Sequence, residues 1–211
     1  MITISANPKL IEGNERFRRT DTVYKSLAEG QHPEIIVLAC SDSRVGPERI
    51  TDSDLGRQFV IRAIGGAVDQ SVIASIEYPV EHLKAKELAI MGHTKCGAVT
   101  AAQQMLAARM VSNAEEKDGS ALATTLMGIC RGISGNSQQN MVDNAHAVID
   151  NAMSQAKKLV ESSRIIRDAL AGGALRINIW LYDISTGELK VVKAASYDEK
   201  KGSLSFEDLP T

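Results

Sequence analysis

Apolar positions along this chain recur with two periods, and the period switches at short intervals. Residues 7–30 carry Leu10, Ile11, Phe17, Val23 and Leu27 at helical spacing with charges between them, which predicts an N-terminal helical arm over 1–30. Three runs then have the β-branched composition of buried strands: EIIVLAC (34–40), RQFVIRAIG (57–65) and ELAIMGH (87–93). Between the second and third, DQSVIASIEYPVEHLK sets Val72, Ile73, Ile76, Val80 and Leu83 on one helical face. Pro79 is expected to kink that helix or start a new turn in it.

The second half predicts an Ala-rich helix over 96–110, a long amphipathic helix over 140–160 and a shorter one ending in Gly172-Gly173. Residues 112–137 combine Gly, Ser, Asn and Asp with weak periodicity and are expected to be a loop-rich insertion. Residues 174–194 alternate as two strands joined through Ser185-Thr186-Gly187, a hairpin signal. Strands alternating with helices give an α/β fold: a mostly parallel central sheet flanked by helices, with an antiparallel C-terminal edge strand and the N-terminal helical arm. A length of 211 residues suits one domain over 1–211. Ligands of such sheets bind beyond the carboxyl ends of the strands.

Composition narrows the function classes. Hydrophobic residues make up 44% and charged residues 24%, as in an ordinary globular chain. The formal net charge of -2, with Lys and Arg scattered, is no footprint for nucleic acid, so no such partner is expected. No apolar run approaches the roughly 18 residues of a membrane span. The start MITISANPKLIEGNERF also lacks the apolar region of a signal peptide, so a cytoplasmic protein is expected. In that compartment three cysteines are not a disulfide framework, which leaves metal or nucleophile roles open.

Two stretches carry chemistry. ACSDSRVG (39–46) follows the first strand, and GHTKC (92–96) closes the third. Cys40, His93 and Cys96 therefore meet at one rim of the sheet as a Cys₂His set. Zn²⁺ takes thiolate at about 2.3 Å and imidazole at about 2.0 Å in a tetrahedron, and a catalytic site keeps three protein ligands. Asp42 could be the fourth ligand, or Arg44 could hold it away in a bidentate ion pair. A cysteine ending a strand is ordinarily an inert core residue, and it is the combination with His93, Cys96, Asp42 and Arg44 that favours a metal. A cysteine-phosphatase loop needs five residues between Cys and Arg where this chain has three, and no C-x-x-C dithiol is present. His32, His82 and His146 read as surface residues and Cys130 as a buried or spare thiol.

CSDSR and GHTKCGAV, separated by FVIRAIGGAVDQSVIASIEYPVEHLK, closely resemble the β-class carbonic anhydrases. The resemblance runs from LIEGNERF to YDISTGELKVV. It implies reversible hydration of CO₂ to bicarbonate by zinc-bound hydroxide, with Cys40, His93 and Cys96 as Zn²⁺ ligands and Asp42–Arg44 as catalytic dyad. In the plant-like branch, substrate-site Gln, Phe and Tyr fall at positions held here by Gln31, Phe59 and Tyr78; Ile64 takes the place of a small apolar wall residue, and Gly97 joins the pocket. Val37 and Ala39 stand where a bacterial branch has the Trp and Gly of a noncatalytic bicarbonate site, so that pocket is expected to be missing and the zinc site open. One departure is Arg62 to Gly66, RAIGG in place of a stretch like RNAGN. Relatives build the site at a dimer interface, which implies a homodimer or tetramer. CS₂ or carbonyl sulfide hydrolysis on the same scaffold, or an inactive zinc-binding regulatory protein, are the alternatives.

Overall fold

In the computed structural model, which describes residues 7–20, 22–108, 119–133 and 144–209, the continuously apolar runs become the middle of a sheet. Strand β1 is Ile35–Cys40, β2 Gln58–Ala63, β3 Glu87–His93, β4 Arg176–Tyr182, β5 Leu189–Asp198 and β6 Ser203–Asp208. Their order is β2-β1-β3-β4-β5-β6; the first four are mutually parallel and the last two antiparallel. The described helices are α1 (Pro8–Thr20), α2 (Val23–Ser26), α3 (Pro47–Ile50), α4 (Gln70–Glu81), α5 (Gly97–Ala107), α6 (Ala121–Gly132), α7 (Ala145–Ser162) and α8 (Arg164–Ala171).

Side chains alternate across the pleat, so each central strand feeds two cores. On one face Ile36, Leu38, Leu88, Ile90, Ile177 and Ile179 pack with α4, α7 and α8. On the other, Val37, Ala39, Ala89 and Met91 pack with Val45 and Ile50 from the segment after β1. Each fully buried Ile or Leu contributes roughly 1.5–3 kcal/mol relative to an exposed one. Local signals set the helix starts: Asp69 Oδ1 accepts the Val72 N–H at 2.8 Å, and Ser163 Oγ accepts the Ile166 N–H at 3.1 Å. The N-terminal helix forms as expected but buries none of its residues, and Leu10 and Ile11 stay exposed.

Three expectations need correction. Within the supposed loop-rich insertion 112–137, residues Ala121–Gly132 are helix α6, capped by Ser120 and burying Ala123, Met127, Ile129 and Cys130. Two threonines and two glycines dilute its helical signal, and packing against α5 and α7 overrides that weak propensity. Residues 112–118 and 134–137 of that stretch lie outside the described residues. The second strand ends at Ala63, because Gly65 and Gly66 take φ of 60° and 66° and turn the chain. The hairpin strand β5 is not the edge: β6 pairs outside it from a stretch with only Leu204 and Phe206 as large apolar residues.

Gly92, beside the metal centre, shows how tightly α7 seats on the sheet. A Cβ there would overlap the Val148 side chain and lie 3.6 Å from the Val148 carbonyl. Gly92→Ala is expected to cost about 1–3 kcal/mol of stability by overpacking. Gly97→Ala, where a Cβ meets nothing within 4 Å, should leave stability within about 0.5 kcal/mol. Urea denaturation with equal midpoints for both variants would contradict this packing.

Candidate metal centre

Two neighbouring parallel strands deliver the ligands. β1 pairs with β3 in the register Ala39↔Met91, so Cys40 and His93, their last residues, emerge at the same end of the sheet. Cys40 continues the face of Ile36 and Leu38, while His93 continues that of Ala89 and Met91. A tight turn through Thr94 and Lys95, with Lys95 at φ 57°, then returns the chain so that Cys96 precedes α5. Buried Asn144 fixes that turn: its Oδ1 accepts the Lys95 N–H at 2.8 Å, and its Nδ2 donates to Thr100 Oγ1 at 3.1 Å and the Cys96 carbonyl at 3.4 Å.

The three donor atoms lie within 4.8 Å of one another, and all three residues are buried. Cys40 Sγ and Cys96 Sγ are 4.0 Å apart, close to the roughly 3.8 Å that two bonds of about 2.3 Å subtend in a tetrahedron. His93 Nδ1 lies 2.9 Å from the Thr94 carbonyl, which can only accept, so Nδ1 carries the proton. That leaves the Nε2 lone pair buried with no hydrogen-bond partner among the described residues. An orphaned imidazole nitrogen facing two thiols is what a Zn²⁺ ligand set requires, with the second nitrogen held by a carbonyl.

Charge points the same way. Without a metal, the hydrogen bond from the Cys96 thiol pulls Cys40 down toward thiolate, while that same bond and burial push Cys96 up. Only a cation lets both sulfurs ionise together. Cys96 also sits at the N-terminus of α5, whose dipole favours negative charge.

Asp42 and Arg44 follow β1 and form a bidentate ion pair in this structure. Arg44 Nε donates to Oδ1 at 2.9 Å and Nη2 to Oδ2 at 2.6 Å, and the Arg44 backbone N–H adds a third bond to Oδ1 at 2.9 Å. The guanidinium holds the Asp42 carboxyl well below the usual carboxylate range, so it stays ionised at working pH.

Sequence reasoning missed two members of this cluster, Asn144 and Arg62. Arg62 on β2 donates from Nε to the Cys40 carbonyl at 3.1 Å and from Nη2 to the Asp42 carbonyl at 2.6 Å, clamping the CSD backbone. It stands opposite Ala39 in the parallel register, a neighbour that only the fold supplies.

The remaining expected residues divide in two. Gly97 directly follows Cys96 as the first residue of α5, and Ile64, 41% exposed, begins the turn after β2. Gln31, Phe59 and Tyr78 are not brought to this chain's own ligands. Gln31 precedes β1 at the opposite end of the sheet. Phe59 pairs with Ile36, four residues before the Cys40↔Ala63 pair, or about 13 Å along the strand. Its ring lies 6.2 Å from that of Tyr78 in an open groove beside β2, at the sheet's outer edge. His32, His82 and His146 are exposed as expected, and Cys130 is buried, donating to the Ala102 carbonyl at 3.3 Å.

The purified protein is expected to hold about one Zn²⁺ per chain by elemental analysis, and Cys96→Ala to lose most of it. Cys130→Ala should keep its zinc. Full occupancy in Cys96→Ala would overturn the ligand set.

Comparison with known proteins agrees with this geometry. The family model described as carbonic anhydrase matches residues 35–189. The chain is 30% identical over 210 residues to the carbonic anhydrase of Synechococcus elongatus, covering 90% of this chain and 73% of that one. It is 31% identical over 214 residues to the carbonic anhydrase of Pseudomonas aeruginosa, covering 89% and 88%. Among solved structures, the β-carbonic anhydrase CcaA superposes with a TM-score of 0.71 at 26% identity, over 97% of this chain and 92% of that one. With Cys40, His93 and Cys96 as its zinc set, the chain belongs to the β-class carbonic anhydrases, enzymes that hydrate CO₂.

Proposed function

We propose that this chain hydrates CO₂ in the open-site manner of the plant-like branch, with Asp42 held off the metal by Arg44. The observation that carries this reading is the bidentate pair with its third bond from the Arg44 backbone. Val37 and Ala39 support it, because they are small, fully buried and leave no bicarbonate-binding aromatic at β1.

Zn²⁺, when bound, lowers the pKa of a coordinated water from 15.7 to about 7 and so makes hydroxide available near neutral pH. The protein's part is orientation. Asp42 Oδ2 takes one hydrogen bond from Arg44 and keeps a lone pair with which to accept the nucleophile's O–H, aiming its oxygen at the carbon of CO₂. Gln31 would donate a hydrogen bond to the CO₂ oxygen on which negative charge develops. Phe59, Ile64 and Tyr78 supply the apolar wall a nonpolar substrate favours.

Gln31, Phe59 and Tyr78 lie far from their own chain's ligands, so we assign them to the site of a neighbouring chain docked along the outer edge of β2. The assembly is then a homodimer or a tetramer built from such dimers; tetrameric β-carbonic anhydrases are known from Sordaria macrospora. The whole chain acts as one domain. None of the three cysteines is in a disulfide, which fits a reducing, cytoplasmic location. Among the described residues no helix is long and apolar enough to cross a membrane.

Arg44→Ala is expected to bind zinc normally and lose CO₂ hydration by at least about 100-fold, read by stopped-flow assay. Gln31→Ala should keep its zinc and lose roughly 100-fold in turnover; unchanged kinetics would remove Gln31 from the mechanism. Neither defect alone reveals which chain supplies Gln31. Equimolar refolding of Gln31→Ala with Arg44→Ala does, because a mixed dimer holds one intact site, giving about one quarter of wild-type activity. No recovery in the mixture would place Gln31 in its own chain's site.

A further inference from the structure

The turn that leads from His93 to Cys96 is strained, and the bonds that hold it come from outside it. Lys95 sits at φ 57°, left-handed backbone that a residue with a Cβ adopts only under constraint. The peptide unit between Thr94 and Lys95 faces two ways: its carbonyl lies 2.9 Å from His93 Nδ1, and its N–H donates to Asn144 Oδ1 at 2.8 Å. If that unit flips, Nδ1 loses its acceptor and the ring can carry its proton on Nε2, the nitrogen the metal needs. Whatever keeps Thr94 in place therefore decides which nitrogen is free.

Thr94 is tied to the start of the β4–β5 hairpin by three bonds. Its N–H donates to the Tyr182 carbonyl at 2.9 Å, one step beyond the His93↔Tyr182 pair that ends the β3–β4 ladder. Its Oγ1 accepts the Ile184 N–H at 3.1 Å and donates to Asp183 Oδ1 at 3.3 Å. The direction is forced, because a carboxylate only accepts and the hydroxyl has one proton to give. Asp183 is itself fixed. The same Oδ1 accepts the Ser185 N–H at 2.7 Å, its backbone N–H donates to the Glu188 carbonyl at 2.8 Å, and its carbonyl accepts the Gly187 N–H at 2.8 Å. Strand pairing stops at His93 and Tyr182, so the hydroxyl bonds extend the joint past the sheet and into the turn.

We propose that Thr94 and Asp183 are positioning residues of the metal centre: Asp183 holds the Thr94 hydroxyl so that the Thr94 carbonyl stays on His93 Nδ1 and the Nε2 lone pair faces the zinc. The inference rests on His93 being a zinc ligand. Neither residue belongs to the Cys40, His93 and Cys96 donor set, and both act through the His93 ring. An imidazole whose Nδ1–H is held by a fixed carbonyl keeps one tautomer and one orientation, and it is the more basic ligand for it. The hairpin, about 90 residues further along the chain, thereby sets the aim of a ligand on β3.

The test uses metal-loaded protein labelled with ¹⁵N-histidine. In the wild type, the His93 Nδ1 proton should exchange slowly with water; a freely exchanging Nδ1 proton overturns the proposal without any variant. In Thr94→Val and Asp183→Ala that proton should exchange at least about 10-fold faster, and zinc should pass to a chelator roughly 10- to 100-fold faster. Thr94→Ser, which keeps the hydroxyl, should restore both rates. The double variant should be no worse than the worse single one, because both changes cut the same link; losses that multiply would overturn the coupling. Ile177→Val, a core change on β4, should lower stability but leave both rates unmoved, and equal acceleration there would reduce the effect to general loosening. Wild-type rates in Thr94→Val would likewise end the proposal. Absence of scalar coupling between ¹¹³Cd and the His93 ring in the wild type would instead refute His93 as a ligand, so the two failures are distinguishable.

Discussion

Two buried sulfur atoms 4.0 Å apart cannot both be thiolates unless a cation lies against them, and the neighbouring His93 Nε2 has no hydrogen-bond partner among the described residues. That frustration of charge organises the functional end of the sheet. Metal binding removes it: both thiols release protons to an ion that also takes up the Nε2 lone pair, which makes affinity fall as pH falls. Nothing in the hydrophobic core asks for this arrangement.

The surrounding backbone is fixed from several directions because the ligands sit on turns. Arg62 reaches from β2 to two carbonyls of the CSD segment, and Asn144 reaches from the start of α7 to the Lys95–Cys96 turn. Asp42 is tied three ways to Arg44. The geometry is therefore set before any substrate arrives, which is how a rigid scaffold lends rate to a reaction that needs only alignment and a poised nucleophile.

What was legible in the sequence follows from how local each signal is. Central strands announce themselves because burial on both faces demands unbroken apolar runs, as in residues 35–40 and 87–91. The ligands were legible because they abut those runs, and Asp42–Arg44 because a two-residue spacing sets the pair. β6 was not, since an edge strand with one covered face needs only Leu204 and Phe206. α6 was hidden by Thr124, Thr125, Gly128 and Gly132. Arg62 and Asn144 bond chiefly to backbone groups at least 20 residues away. A carbonyl or N–H leaves no trace in residue identity, so such partners emerge only once the chain is folded.

The central claim is that Arg44 keeps Asp42 off a zinc ion bound by Cys40, His93 and Cys96. A crystal structure of the zinc-loaded protein near pH 8 tests it most directly. The account predicts zinc bonded to two sulfurs and His93 Nε2, with both Asp42 oxygens still paired to Arg44 and a non-protein ligand in the fourth position. An Asp42 carboxylate oxygen within about 2.2 Å of the zinc, with its bonds to Arg44 broken, would contradict it.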